Sequence, residues 1–552
     1  MKKTSVITKT LISFLSLSTV AYSVCAITID PKPHYYSMTM GATAVSSSAV
    51  CASSASAHAS TASYASAPTY YNSGHTVPKY ADMEFNTEEY AALGENIFKD
   101  VSISPLSTFS ADVDTASYAN VRRFITSGSN PENIPSGAIR AEEMINYFSY
   151  DYKGPEGDEP FGVNAEISEC PWNDKHELLR LGLQTEAMDF SESPDSNIVL
   201  LIDVSGSMDQ PNKLPLLKDS FNLMLDNLGP KDRISIVTYA NGVQTVLNSA
   251  NGANKKKISN AINNLGAGGG TYGEGGILMA YQLAEKNFIE DGNNRIIIAS
   301  DGDFNIGISN ESDLSDLIRE KAESGIFLSV LGFGMGNYSD VTMETLADDG
   351  NGNYAYIDTL SEAKKVLVEE FCANMVTVAK DVKFQVEFNP CYVSEYRLIG
   401  YENRALNDED FENDKKDAGE VGAGHSVTVL YEIVPATEEN ESSKLLKYQK
   451  STLTKEALNS NEWLTLSIRY KEPDEDKSKL VEYNIGSKNY TKKPSEDFLF
   501  CASVAEYALI LRKSLYVGTG SFDHIAKTLN KLNLNDEYKM EFAELVERSQ
   551  DW

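Results

Sequence analysis

Over 552 residues, 80 Asp and Glu against 48 Lys and Arg leave a formal charge of −32, which excludes a nucleic-acid binder, because phosphate contacts need a positive face. The 41% apolar content supports folded cores, and the length holds three or more domains. The six Cys form no Cys-x-x-Cys pair and the six His no zinc spacing, so neither a dense disulfide framework nor a zinc site is expected.

The chain opens as an export signal over residues 1 to 26. Lys2, Lys3 and Lys9 precede an apolar stretch, residues 11 to 24, too short to span a bilayer, and Val24-Cys25-Ala26 offers a small-residue cleavage site. Cys25 raises a lipid anchor as the alternative, although Tyr22-Ser23-Val24 lacks the usual Leu and the small residue directly before the Cys. No later segment is long and apolar enough for a transmembrane helix. Residues 27 to 83 are rich in Ser, Ala and Tyr without apolar periodicity, which predicts a disordered linker.

Residues 84 to 160 carry helical spacing at 88 to 98, 118 to 125 and 139 to 148. Between these lies Asp112-Val113-Asp114-Thr115. It lacks the following Gly of a dehalogenase-type phosphatase loop, so helix capping by Asp114 or Thr115 is the expected role. Residues 161 to 194 alternate as β-strands do.

From 195 to 378 the pattern becomes βα. Residues 198 to 202 are an unbroken apolar run suited to a central parallel strand buried on both faces, and the run stops at Asp203-Val204-Ser205-Gly206-Ser207. Carboxylate and hydroxyl oxygens at such a strand end make hard, oxygen-only ligation of the kind Mg²⁺ prefers, with Gly206 relieving crowding in the turn. Helices are expected at 214 to 228, 256 to 265 and 274 to 288, and strands at 233 to 240, 295 to 300 and 327 to 333. A last helix is expected at 360 to 379. The glycine-rich stretch 266 to 276 contributes one hydroxyl, Thr271, and the strand at 295 to 300 ends in Asp301. In a doubly wound sheet, ligands collect beyond the carboxyl ends of the strands, where Asp203, Thr271 and Asp301 all fall.

This constellation resembles the von Willebrand factor type A (VWA) domain with its metal-ion-dependent adhesion site. The family's Asp-x-Ser-x-Ser matches Asp203, Ser205 and Ser207; its distal Thr matches Thr271 and its distal Asp matches Asp301. The resemblance implies a doubly wound, Rossmann-like α/β domain holding octahedral Mg²⁺ (or Mn²⁺ or Ca²⁺). One coordination position would be left for a Glu or Asp carboxylate of a protein partner.

Strands are expected again at 382 to 388, 396 to 401, 426 to 434 and 463 to 470, making 379 to 494 a β-rich region. Strand blocks on both sides of the α/β unit predict a β-sandwich with the VWA domain inserted in it. The acidic stretch 405 to 425 lacks the ligand order of an EF-hand and reads as a solvated, ordered loop. Residues 495 to 552 turn helical, with an apolar segment at 498 to 514 and an amphipathic one at 538 to 548. They are expected to cover part of the sandwich or to pack alone. The order of parts is similar to the bacterial exported YfbK-like family. The similarity rests on residues 109 to 118 (Phe-Ser-x-Asp-Val-Asp-Thr-Ala-Ser-Tyr), residues 410 to 415 and Gly422-Ala423-Gly424-His425.

Three functions fit these features. The first is an exported, non-enzymatic binding protein whose Mg²⁺ grips a partner's carboxylate. The second is a structural cell-envelope component in which the metal only staples loops. The third is a metal-dependent hydrolase, for which Glu274 and Asp303 are the nearby acids and no Ser-His-Asp order, His-Glu-x-x-His or Walker A motif exists. Export implies a periplasmic, envelope or extracellular location.

Overall fold

The computed structural model describes residues 88–552 apart from 92–93, 158, 189–192, 303–310, 337, 438–452 and 474. The expected signal at 1–26 with Cys25, the expected linker at 27–83 and the candidate acid Asp303 lie outside the described residues.

A six-stranded sheet runs in the order Tyr354–Ile357, Ile326–Phe333, Asn293–Ser300, Ser196–Asp203, Arg233–Tyr239, Val243–Asn251, parallel throughout except for the last strand. The apolar run at its centre serves two cores at once. Ile198, Leu200 and Ile202 pack on one face with Leu217, Phe221 and Ile258, while Val199 and Leu201 pack on the other with Ile277, Ala284 and Ile318. Helices Leu214–Met224 and Lys255–Asn263 supply the first set of partners, and Gly273–Lys286 and Glu311–Glu323 the second. A strand covered on both faces has no solvent side to mark with polar residues, which is why its sequence does not alternate. This is the doubly wound α/β fold expected, with an antiparallel edge strand, Val243–Asn251, that its polar sequence hid.

Two further sheets flank it. One runs Lys99–Asp100, Val393–Ile399, Ser426–Pro435, Asn173–Thr185, Phe161–Cys170. The other runs Gly419–Gly422, Thr377–Phe388, Glu462–Lys471, Lys479–Gly486, with Leu106–Ser110 also laid against Thr377–Phe388. Leu181 and Leu183 of the first sheet and Phe384, Val386 and Leu464 of the second share one apolar core, as in a β-sandwich. Asn173–Thr185 pairs with Ser426–Pro435, so strands that precede the α/β unit in sequence are bonded to strands that follow it. The α/β unit is therefore an insertion.

The terminal helices Glu496–Leu511, Phe522–Leu529 and Glu537–Gln550 do not pack alone. Phe500 and Phe542 share a core with Tyr118 and Phe148 of the N-terminal part. Within this core Phe148 meets Phe500 edge-on with ring centroids 5.0 Å apart, a favoured aromatic geometry.

Three expectations need correction. Among the described residues of 88–98, spaced like a helix, none is helical: Glu89 bridges to Ser339, and Glu88 accepts bonds from Arg123 (2.8 Å) and the Gly336 amide (2.8 Å). Tyr90 and Phe98 there serve tertiary contacts, against Phe124 and Tyr516. The single helix expected at 360–379 is broken into Leu360–Lys364, a π-helical turn Lys365–Glu369 and Phe371–Met375, after which the chain enters the strand Thr377–Phe388. Asp114 and Thr115 do not cap the helix Ala116–Thr126, whose N-cap has no side-chain bond. Asp114 instead accepts the Tyr354 amide at 2.8 Å and Arg404 at 3.3 Å, fastening the N-terminal segment to the edge of the central sheet.

None of the four cysteines among the described residues, Cys170, Cys372, Cys391 and Cys501, is joined in a disulfide. No helix among the described residues is long and apolar enough to cross a membrane.

One buried acid makes the junction pH-sensitive. Glu142 is fully buried, neither carboxyl oxygen has a hydrogen-bond partner, and burial together with the charges of Glu402, Asp112 and Glu143 pushes its pKa up to about 8. A folded pKa above the ordinary value of 4.5 means a contribution present below about pH 4.5 and lost as pH rises toward 8. Glu142→Gln should unfold at a higher urea midpoint than the parent at pH 8.5, with the two midpoints converging at pH 5; equal midpoints at both pH values would refute the assignment.

Candidate metal centre

The strand Ser196–Asp203 delivers Asp203, fully buried, to the carboxyl edge of the central sheet. One carboxylate oxygen accepts the Ser205 amide at 2.8 Å, and the other accepts the Ser300 hydroxyl at 3.2 Å. The first bond closes a tight turn, so Ser205 and Ser207 follow on the same side, with their hydroxyl oxygens 3.0 Å apart. Burial pushes the Asp203 carboxyl up to about 6, and the nearby charge of Asp301 pushes the same way, against the hydrogen bonds from Ser205 and Ser300.

The glycine-rich loop is sewn to this turn by its backbone. The Gly206 amide donates to the Gly269 carbonyl at 3.0 Å, and the Gly268 amide donates to the Val204 carbonyl at 2.8 Å. Gly269 has φ +92°, and a Cβ there would lie 2.7 Å from the Asn241 amide nitrogen, so only glycine fits between the loops. Asn241 in turn accepts the Gly270 amide at 2.6 Å. Thr271, half-buried, follows directly, just before the helix Gly273–Lys286. Asp301, fully buried, stands at the end of Asn293–Ser300, the strand bonded to Ser196–Asp203. The five residues singled out from sequence are thus gathered at one edge of the sheet by two strand ends and one loop, with Thr271 carried by the loop between the helices Lys255–Asn263 and Gly273–Lys286 rather than at a strand end.

Two participants escaped the sequence reading. Ser300 lies inside the quoted strand but was passed over beside its acidic neighbour. Lys213 has no local signal at all, since a lysine just before a helix ordinarily faces water. Its ammonium bonds Asp301 at 2.9 Å with the side chain only 2% exposed. Among the described residues no cluster of three or more His, Cys, Asp or Glu is arranged to hold a metal. Of the acids weighed for hydrolysis, Glu274 occupies the first turn of the helix Gly273–Lys286, where its charge complements the helix dipole.

The donor set suits a hard divalent cation. An octahedral shell with metal–oxygen distances of about 2.1 Å puts adjacent ligands about 3.0 Å apart, which is the Ser205–Ser207 spacing.

Comparison with known proteins covers the same regions. The family model of the von Willebrand factor type A domain matches residues 197–370. One described as von Willebrand factor matches residues 84–180, and one described as "Uncharacterized protein YfbK, C-terminal" matches residues 373–551. The "Uncharacterized protein YfbK" of Escherichia coli (strain K12) is 42% identical over 470 residues, 84% of this chain and 81% of its own length. Inter-alpha-trypsin inhibitor heavy chain H4 of Homo sapiens is 30% identical over 164 residues, 28% of this chain and 17% of its own. A solved von Willebrand factor type A protein from Catenulispora acidiphila aligns with a TM-score of 0.38 at 16% identity, covering 65% of this chain and 80% of that one. With three matches following one another along the molecule and identity sustained over most of both lengths, the chain belongs to the YfbK family, whose central unit is a von Willebrand factor type A domain.

Proposed function

We propose that this chain is an exported, non-catalytic binding protein whose VWA domain holds Mg²⁺, with Mn²⁺ or Ca²⁺ as substitutes, and uses it to grip a Glu or Asp of a protein partner. Ser205, Ser207 and Thr271 would supply hydroxyl ligands and Asp203 the buried negative charge, with Asp301 behind them. When bound, the ion supplies a positive centre that attracts a carboxylate in a partly dry site. The observation that carries this reading is the pair of serine hydroxyls 3.0 Å apart beside a fully buried Asp203. That spacing suits two neighbouring ligands of one octahedral ion. A binding role is favoured over hydrolysis because the Ser205 amide, the Ser300 hydroxyl and the Lys213 ammonium, which bond the two aspartates, are none of them a general base at neutral pH.

The test is capture from envelope extracts on the immobilised chain in Mg²⁺ against EDTA. Thr271→Ala is expected to fold normally, since Thr271 is only half-buried, and to lose Mg²⁺-dependent capture. Capture that survives both EDTA and this substitution would remove the metal edge as the binding surface. A metal-free chain that melts earlier but captures nothing under any condition would favour the structural envelope role instead.

A further inference from the structure

Lys213 sits in a slot made for it. It ends the loop that follows the Asp203–Ser207 turn and precedes the helix Leu214–Met224, and its stem crosses Gly334. A Cβ on Gly334, whose φ is +79°, would lie 2.3 Å from the Lys213 Cε and 2.5 Å from its Cγ, so the passage exists only because residue 334 has no side chain. The slot ends with the ammonium on Asp301, both side chains buried. Burying a lysine is costly unless it is paired, and the pair formed here neutralises one of the two carboxylates at the metal edge.

Resting on the metal-site reading above, we propose that Lys213 is a fixed internal cation that sets the charge of this site, weakening its hold on the divalent ion and strengthening its hold on a partner carboxylate. Asp203, Asp301 and Lys213 together leave one net negative charge. A divalent ion turns this into one net positive charge, and an approaching carboxylate meets attraction at short range in a partly dry site. Without Lys213 the loaded site would be neutral: it would bind the cation more tightly and the anion less. Lys213 is thus a positioning residue, acting through Asp301 and through its charge.

The experiment uses the full chain and two probes, Mn²⁺ followed by electron paramagnetic resonance and acetate added to the Mn²⁺-loaded protein, with water proton relaxation reporting displacement of metal-bound water. Lys213→Met should bind Mn²⁺ about tenfold more tightly than the parent or better, and should need about tenfold more acetate for the same displacement. Lys213→Met leaves Asp301 buried without its partner, so the neutral pair Lys213→Met/Asp301→Asn guards against misfolding. That chain has the parent's net site charge and is expected to bind Mn²⁺ within a few-fold of it. If Lys213 had no electrostatic role, losing the Asp301 charge would weaken Mn²⁺ by about tenfold or more, and that result overturns the proposal. So does unchanged Mn²⁺ affinity in a folded Lys213→Met chain. Absence of Mn²⁺ binding in all three chains refutes the metal reading itself, and is told apart because the parent is then silent as well.

Discussion

Arg122→Met is expected to lower the unfolding free energy by about 3–5 kcal/mol, the largest stability loss of any single substitution considered, because it strips the partner from two buried acids at once, Asp358 and Glu362. Arg122 is carried by the helix Ala116–Thr126 with its side chain 3% exposed. Its guanidinium bonds Asp358 through Nε at 2.9 Å, Glu362 at 2.7 Å and Glu541 at 2.8 Å, and also donates to the Tyr147 hydroxyl at 3.1 Å. Asp358 and Glu362 belong to the VWA domain and Glu541 to the last helix, Glu537–Gln550, so one side chain joins the N-terminal part, the inserted domain and the C-terminal end. Burial already holds the Glu362 carboxyl above its ordinary range, against the pull of Arg122; without the cation it rises further and the acid must take up a proton or open the interface. A lowered urea midpoint should therefore be partly recovered by the matched neutral set Arg122→Met, Asp358→Asn, Glu362→Gln, since replacing a whole buried ionic group costs less than orphaning half of it. A parent-like midpoint in Arg122→Met alone would show that these bonds contribute nothing net.

The same network explains what the sequence could and could not show. The sheet edge that gathers Asp203, Thr271 and Asp301 was legible because these residues are tied to local pattern: Asp203 ends an apolar run, Asp301 ends a second one, and Thr271 follows a glycine loop that opens a helix. Each sits where strand period and ligand chemistry change together. The insertion was also visible, from strand-like alternation on both sides of the βα pattern. Arg122, Arg140 and Lys213 left no such trace. Each has a partner far along the chain, as in Arg140 with Asp340 at 2.7 Å, and a buried cation reads in sequence like any surface cation. The same holds for Asp114. Its spacing matched a helix cap, but the competing acceptor role toward the Tyr354 amide is set by tertiary contact, which local propensity does not encode. The break in the helix at 360–375 is a further case: apolar periodicity continues through the π-helical turn, so only the backbone reveals it.

Asp203→Asn should separate the ion's contribution from the cost of the empty carboxylate, and the two should appear with opposite signs. In EDTA, the parent carries a buried Asp203 whose pKa is pushed up to about 6 from an ordinary value of 3.8. A raised carboxyl favours the folded state fully below about pH 4, and that advantage is lost as pH climbs through about 6. At pH 7.5 the ionised, uncompensated group costs about 3 kcal/mol relative to a neutral one, so the Asn chain should be the more stable of the two without metal. Adding Mg²⁺ reverses the order. An ion at a thousandfold excess over its dissociation constant adds about 4.1 kcal/mol to a chain that binds it, more than the roughly 3 kcal/mol by which the Asn chain leads in EDTA, and nothing to one that does not. Thermal melts of both chains at pH 7.5 in EDTA and in Mg²⁺ should therefore cross: Asn higher in EDTA, and only the parent shifted upward by Mg²⁺. A parent whose Tm ignores Mg²⁺ would rule out the metal site. An Asn chain that is less stable than the parent in EDTA would instead show that the bonds from Ser205 and Ser300 outweigh the burial of the charge, leaving the cation with no electrostatic debt to relieve.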